Sequence, residues 1–392
     1  MNTLIDSRMN TLIEGLSEFN FYLPTNIIFK VDALKDIRSF ALGEKPFIVT
    51  GKNSSKKNGA LEFVQKCFPN GVIFDRVEEN PSAETCDTAG NLCKEEKCDW
   101  VICIGGGSPL DTGKCVAGLA TNGGKCADYF GRDLFKNSPL PILAVPTTAG
   151  TGSEVTQYAV ITDRKNNTKK TVADRRIFPK VALADPNLTL TMNRDITLST
   201  GLDALSQCME GIVSKKSTPI TDTLALEGCR ILKEYIPNVL KNPSDLHSRT
   251  MVMYASLLSG IVIAHTGTTL VHALGYYYTL YYGIPHGIAN ALFLIPMFRR
   301  NEKYLPEKVK TLSNAISNNP NFGTITKIED NLKELFSELD FSYKAKDWGV
   351  ESKKFPEFAE NLANDPYRFR NQYGTFDMTE LENIFEESYL GK

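Results

Sequence analysis

Apolar residues in the first half of the chain come in short runs separated by amphipathic stretches. The runs at 46–50 (PFIVT), 72–77, 99–104 (DWVICI) and 141–145 are too short for helices and rich in Val, Ile and Cys. They read as strands buried on both faces. Between them, helical periodicity appears around 60–68, 82–97 and 110–120. Strand–helix–strand alternation predicts a parallel sheet covered on both sides.

After Asp185-Pro186 the rhythm changes. Helical periodicity extends over 196–213, 220–240, 246–265, 270–282 and 286–298, and β-branched runs nearly vanish. Amphipathic segments at 304–319, 328–339, 353–364 and 379–388 complete the chain. The pattern predicts an α/β N-terminal domain with a parallel sheet (1–192) and an all-α C-terminal domain (193–392). The chain's 392 residues suit two or three domains at about 150 residues each.

Composition narrows the class mostly by exclusion. Hydrophobic residues make up 42% and charged residues 23%, values of an ordinary globular chain. The net charge of −2 offers no excess for nucleic acid or an anionic membrane. No apolar run reaches the ~18 residues of a transmembrane helix; the stretches 257–264 and 289–298 suit buried helices. The N-terminus has no apolar leader segment, and its pentad MNTLI recurs at 9–13 without marking a structural repeat. Nine cysteines contain no Cys-x-x-Cys pair, which favours reduced thiols in a cytoplasmic protein.

Three loops carry candidate nucleotide chemistry. Gly105-Gly106-Gly107-Ser108-Pro109-Leu110-Asp111 follows a strand and opens a helix. Glycines admit a phosphate close to the backbone, and the helix amides bind it. Ser108 suits the N-cap and Pro109 the first helical position. The run is not G-x-G-x-x-G, so the ordinary dinucleotide fingerprint is absent. The loop 146–154 (PTTAGTGSE), with Thr147, Thr148, Thr151 and Ser153, also follows a strand. Two such loops would meet at the crevice where open α/β sheets bind ligands. The loop 51–59 (GKNSSKKNG) holds Gly51, Ser54, Lys56 and Lys57 and no acid. A ribose 2′-phosphate prefers such donors, so NADP(H) is favoured over NAD(H).

Histidine is scarce: only His247, His265, His272 and His286 occur. Asp203 and Gln207 stand one helical turn apart on one face. A Gly-Ile-Pro break before His286 lets it converge with His272 from a different helix. Asp203, Gln207, His272 and His286 would suit a divalent first-row ion with an open position. His247 and His265 have no such partners and read as structural.

Together these motifs resemble the iron-containing (group III) alcohol dehydrogenase family of the dehydroquinate synthase-like superfamily. The similarity covers residues 20–296, with a weaker tail. It rests on GGGSPLD at 105–111, PTTAGTGSE at 146–154, ADPNLTLTM at 184–192, GLDAL at 201–205, VHALG at 271–275 and PHGIANALFLIP at 285–296. The resemblance implies a dinucleotide-binding domain, a helical domain and a metal in the cleft between them. By position, Gly106, Gly107 and Ser108 would hold the pyrophosphate, with Asp111 near the nicotinamide. Thr147, Thr148 and Thr151 would line the cofactor, and Lys169, in a turn, would reach its ribose. Asp203, Gln207, His272 and His286 fall on the four metal-ligand positions. The 51–59 loop is similar to that of the NADP-preferring butanol-type branch.

Two positions depart from the family. Gln207 stands where it usually has histidine, and Tyr276 replaces the second histidine of its H-x-x-x-H pair. A neutral amide should weaken metal affinity. The superfamily includes zinc enzymes with three protein ligands, so Asp203, His272 and His286 could suffice, with Fe²⁺ or Zn²⁺. It also includes members thought to work without metal. Tyr276 is a candidate proton relay and, with Asp111, a candidate catalytic group.

The expected activity is hydride transfer between NADPH and a small polar aldehyde by a cytoplasmic homodimer. A dehydroquinate synthase-type lyase is one rival, though it would need many basic groups where this chain's cleft segments read as tyrosine-rich and apolar. The other is a nucleotide-binding protein that lost catalysis through Gln207 and Tyr276.

Overall fold

The computed structural model describes residues 18–317 and 327–392. The MNTLI pentads and the end of the segment expected at 304–319 lie outside them. Nine strands occur among the described residues: β1 (Asn26–Phe29), β2 (Pro46–Gly51), β3 (Val72–Val77), β4 (Trp100–Gly105), β5 (Gly131–Arg132), β6 (Ile142–Pro146), β7 (Tyr158–Asp163), β8 (Thr168–Ala173) and β9 (Val181–Ala184). Six form one sheet in the order β1-β9-β6-β4-β2-β3, with every pairing parallel.

Its strands show why the sequence runs apolar instead of alternating with polar residues. In β2, Phe47 and Val49 enter one core and Ile48 the other. In β4, Val101 and Cys103 oppose Ile102 and Ile104 in the same way. Both faces are covered, as parallel sheets require.

The first helices are α1 (Ser54–Lys57), α2 (Ala60–Cys67), α3 (Ala83–Glu95) and α4 (Gly107–Asn122). From Arg194 onward the described chain has no strand. It forms α5 (Arg194–Val213), α6 (Pro219–Lys241), α7 (Leu246–Thr266), α8 (Leu270–Tyr282), α9 (His286–Ala291), α10 (Leu294–Tyr304), α11 (Pro306–Ala315), α12 (Ile328–Glu338), α13 (Phe355–Ala363) and α14 (Met378–Leu390).

Several expectations are corrected. The short strands β1 and β9 and the small sheet β5-β8-β7 were not visible as periodicity. Lys169 sits inside β8, antiparallel to β7, and not in a turn. The helix expected over 286–298 breaks at Leu292–Phe293. Helix α4 starts at Gly107, with Gly106 as its cap, so Ser108 lies inside the first turn and caps nothing. Finally, α7 is long and apolar enough to cross a membrane by length and composition, yet 67% of its most apolar window is buried in the fold. It is a core helix whose Val252, Met253, Ala255, Leu258 and Val262 join the central cluster of the helical half.

All nine cysteines are free, and only Cys67 is not buried. The sulfurs of Cys86, Cys115 and Cys126 lie within 4.8 Å of one another. Donation from Cys115 and Cys86 lowers the Cys126 pKa to about 5, whereas burial raises Cys103 to about 12.

Candidate functional site

The site begins at the carboxyl ends of β4 and β6. Gly105 and Pro146 are partners in the parallel register, so the two loops leave the sheet at the same level. Thr147 N–H donates to Gly105 O at 2.9 Å and ties them together. Beyond that point they pack too tightly for side chains. A Cβ on Gly106 would lie 3.1 Å from Thr148 Oγ1, and one on Gly107 would lie 2.8 Å from Thr151 Cγ2. The result is bare backbone at the N-terminus of α4, the arrangement that accepts a phosphate. The Thr147 hydroxyl is buried with no hydrogen-bond partner among the described residues.

A buried network holds this cradle. Asp111 accepts from Ser153 Oγ at 2.6 Å and from Val160 N at 2.9 Å. Lys114, fully buried, donates to Ser153 Oγ, Thr156 Oγ1 and Tyr158 O at 2.6, 3.0 and 2.7 Å. Burial lowers the Lys114 pKa, opposed by Asp111. Lys169 Nζ donates to Asn80 Oδ1 at 2.6 Å, and burial brings its pKa down to about 8. Sequence reading missed Lys114 and Asn80, although Lys114 lies one turn after Asp111 on a helix otherwise poor in charge.

Glu154, next to Ser153, is 3% exposed, and burial raises its pKa to about 7. A carboxyl whose folded pKa lies above its unfolded value binds more protons when native. Stability then falls as pH rises from about 4.5 to 7 and stays lowered above that. Glu154→Gln is expected to raise the thermal midpoint at pH 8 relative to wild type, by an effect on the order of 2 kcal/mol, and to give little gain at pH 4.5. Equal gains at both pH values would show that ionisation is not the cause.

Opposite the cradle, α5, α8 and α9 converge. Asn193 caps α5 through Ile196 N at 2.9 Å, and Asp203, Gln207 and Glu210 follow at i, i+4 and i+7 on one face. His272 lies in the first turn of α8, which ends at Gly283 in the left-handed conformation. Pro285 then caps α9, which begins with His286. His272 Nε2 and His286 Nε2 lie 3.4 and 3.8 Å from Asp203 Oδ1. Tetrahedral coordination with zinc-like bonds of about 2.05 Å sets neighbouring ligands about 3.3 Å apart. The three donors therefore already stand near coordinating separation.

The electrostatics agree. His272 Nδ1 bonds Glu210, a fully buried carboxylate that also accepts from Thr269 N and Thr269 Oγ1, both at 2.8 Å. This turns His272 Nε2 toward Asp203, and on losing its proton Nε2 would offer a lone pair to a metal, the carboxylate–histidine arrangement common behind metal ligands. Burial disfavours the His272 cation, yet Glu210 and Asp203 outweigh it and raise its pKa to about 10. Burial drives His286 down to about 4. Two buried carboxylates thus draw positive charge to a spot ringed by ligand atoms, which fits a divalent cation. Glu210 was missed in the sequence; its place seven residues after Asp203, in an apolar run, was the available signal.

Gln207 does not present itself as expected. Its oxygen accepts from Ser259 Oγ at 2.8 Å, while its amide nitrogen faces Asp203 Oδ2 at 3.1 Å and Thr151 O at 3.4 Å. The amide thus turns a donor, not an oxygen ligand, toward the carboxylate. Asn290, one turn after His286, donates to Asp203 Oδ1 at 3.1 Å. Tyr276 stacks on His286 at 5.3 Å between centroids, and burial raises its pKa to about 12, so it stays a neutral phenol.

The convergence depends on close helix contact. A Cβ on Gly287 would lie 1.8 Å from Ser199 O and 2.8 Å from Asp203 N. Gly287→Ala should push α9 off α5, at a cost of about 1–3 kcal/mol, and weaken metal retention. An unchanged thermal midpoint would show that the contact yields easily.

Both groups face one cavity of about 290 Å³. Gly107, Ser108, Asp111, Thr151, Ser153 and Lys169 line it with Asp203, Gln207, His272, Tyr276 and His286. Gly105, Gly106, Thr147 and Thr148 stand behind that lining at the strand ends. Gly51, Ser54, Lys56 and Lys57 lie outside it, and Lys56 pairs with the exposed Asp75 of β3 at 2.6 Å. An acid therefore does stand near this loop, contributed by a strand remote in sequence. His265 is structural as expected: it stacks on Phe21 and accepts from Tyr22 N. His247 packs edge-on against Tyr235.

This pairing of a candidate phosphate cradle with an Asp–His–His cluster fits the alcohol dehydrogenase class, and the chain belongs to the iron-containing alcohol dehydrogenase family. The family described as "Iron-containing alcohol dehydrogenase" matches residues 24–186, and "Fe-containing alcohol dehydrogenase family, C-terminal" matches 197–389. The 1,3-propanediol dehydrogenase of Citrobacter freundii is 32% identical over 95% of this chain and 99% of its own. The NADPH-dependent butanol dehydrogenase of Clostridium saccharobutylicum is 29% identical over 95% and 98%. Among solved structures, an iron-containing alcohol dehydrogenase from Thermotoga maritima superimposes with a TM-score of 0.85 at 36% identity, covering 96% of this chain and 100% of that one.

Proposed function

We propose that the protein reduces a small aldehyde with NADPH, with Asp203, His272 and His286 holding a divalent cation, Fe²⁺ or Zn²⁺. The carrying observation is that the bare-backbone cradle and the three-ligand centre line one cavity. The nicotinamide supplies hydride, and the cation supplies polarisation of the carbonyl oxygen. The α4 amides at Gly106, Gly107 and Ser108 would fix the pyrophosphate, Thr147, Thr148 and Thr151 would flank it, and Lys169 would meet the ribose. Asp111, anchored by Ser153 and Val160, would orient the nicotinamide side. The neutral Tyr276 phenol can donate a proton toward the product alkoxide.

The preference for NADPH rests on Ser54, Lys57 and Lys56, the last of which neutralises Asp75. The butanol dehydrogenase relative is named as NADPH-dependent and a methanol dehydrogenase of Bacillus methanolicus as NAD-dependent, so the reading rests on these side chains. The chain would divide near Asn193 into nucleotide and metal halves and act as a cytoplasmic homodimer. Loss of absorbance at 340 nm, followed with Fe²⁺ or Zn²⁺ and an aldehyde panel, tests the proposal. Turnover with a higher kcat/KM for NADPH than for NADH is expected. NADPH binding without turnover under any metal would overturn it.

A further inference from the structure

Beside the cleft lies a second pocket of similar size, about 290 Å³, whose chemistry was not legible in the sequence. Its wall carries Arg132, Arg175, Lys216, Arg370 and His265, and no carboxylate. The four cations among them, Arg132, Arg175, Lys216 and Arg370, come from four distant stretches of chain: β5, the turn after β8, the loop after α5 and the loop before α14. Neighbouring cations have acids of their own, since Arg176 pairs with Asp174 at 2.7 Å and Arg368 with Asp365 at 3.1 Å. Among the described residues, Arg132, Arg175, Lys216 and Arg370 make no ion pair. No carboxylate lines the pocket with them, although Tyr158 and the neighbouring Asp133 favour the Arg132 charge.

Aromatic rings hold three of them in place. Arg370 lies 3.5 Å from the Tyr367 ring centroid, Arg175 5.4 Å from Tyr22 and Arg132 6.0 Å from Tyr158. Burial, and then the charges of Arg370 and Arg132, lower the Lys216 pKa. Like charge gathered on an aromatic floor, with no carboxylate in the lining, suits an oxyanion, whose binding relieves the repulsion. These tyrosines, Tyr22, Tyr158 and Tyr367, are not those of the helical cleft segments at 276–282, and the basic groups come from stretches outside those segments.

The pocket adjoins the catalytic cavity: Tyr158, Tyr367 and Arg370 line both. None of the phosphate-cradle residues borders it. We propose that it binds the anionic end of the substrate, so that the preferred aldehyde carries a carboxylate, sulfonate or phosphate at its far end. This rests on the reductase reading above and narrows its substrate class.

The test compares butanal with 4-oxobutanoate, matched in length and differing in the carboxylate, and glyceraldehyde with its 3-phosphate. Metal-supplied protein should favour at least one anionic member by about tenfold or more in kcat/KM, mainly through KM. The advantage should shrink with added salt. In the Arg132→Gln, Arg370→Gln double variant the ratio between paired substrates should collapse toward one. Because the ratio is read within one protein, a general loss of activity cancels. Equal use of neutral and anionic aldehydes, or a preference that survives the double variant, overturns the proposal. If inorganic phosphate accelerates butanal reduction while no anionic aldehyde is preferred, the pocket serves a separate effector and the proposal also falls. Calorimetric titration with succinate needs no turnover and keeps this failure distinct from failure of the reductase reading. Binding by wild type and its loss in the double variant are expected, and absence of binding by wild type refutes the pocket's role.

Discussion

Gln207→His is expected to raise affinity for Fe²⁺ or Zn²⁺ by roughly ten- to a hundredfold, the scale on which single partners act at metal sites. In the wild type, the amide oxygen is held by Ser259 and the amide nitrogen points at Asp203. A half-turn of the amide could bring its oxygen inward, but would set it against the Thr151 carbonyl, now 3.4 Å from the nitrogen. Binding a cation through Gln207 thus works against the local hydrogen bonds. An imidazole brings a lone pair without that conflict. Ser259 keeps a partner in Ser256 O at 2.8 Å, so no hydroxyl is orphaned. Competition against a chelating dye, with elemental analysis after dialysis, reads the change. Equal affinity in the two proteins would mean that Gln207 already coordinates or that the site takes no metal.

The second large effect is expected at Glu210. Glu210→Gln should lower metal affinity about ten- to a hundredfold, because the anion behind His272 is lost. Glu210→Ala should also cost on the order of 3 kcal/mol in stability, since Thr269 N, Thr269 Oγ1 and His272 Nδ1 would all lose a buried acceptor. Chelator competition for Co²⁺ separates the two consequences, as does the cobalt absorption spectrum, which reports ligand geometry. A spectrum and affinity unchanged in Glu210→Gln would remove Glu210 from the metal site and leave it a packing role.

The sequence exposed what is local. A run such as PFIVT shows a doubly buried strand because burial on both faces demands it, and GGGSP shows a phosphate cradle because backbone can approach there only without Cβ atoms. Asp203, His272 and His286 were legible because helix period and a Gly-Ile-Pro break constrain them. What escaped was assembled by tertiary contact. Lys114 looked like one more helix lysine until three oxygens from a distant loop closed on it. The acid beside the 51–59 loop comes from β3, and the basic pocket comes from four stretches that share no motif. β1 and β9 were missed because four-residue strands carry too little periodicity to distinguish from loop.

The burial of the cysteines bears on how the protein ages in air. Ferrous iron and oxygen generate peroxide, which attacks accessible thiolates first. Cys67 alone is not buried. Cys126, the thiol whose pKa falls, is 1% exposed. Oxidative inactivation of the iron-loaded enzyme should therefore strike the ligand shell and leave the thiol titre of the unfolded chain nearly intact, and a reductant for disulfides should not restore activity where fresh Fe²⁺ does.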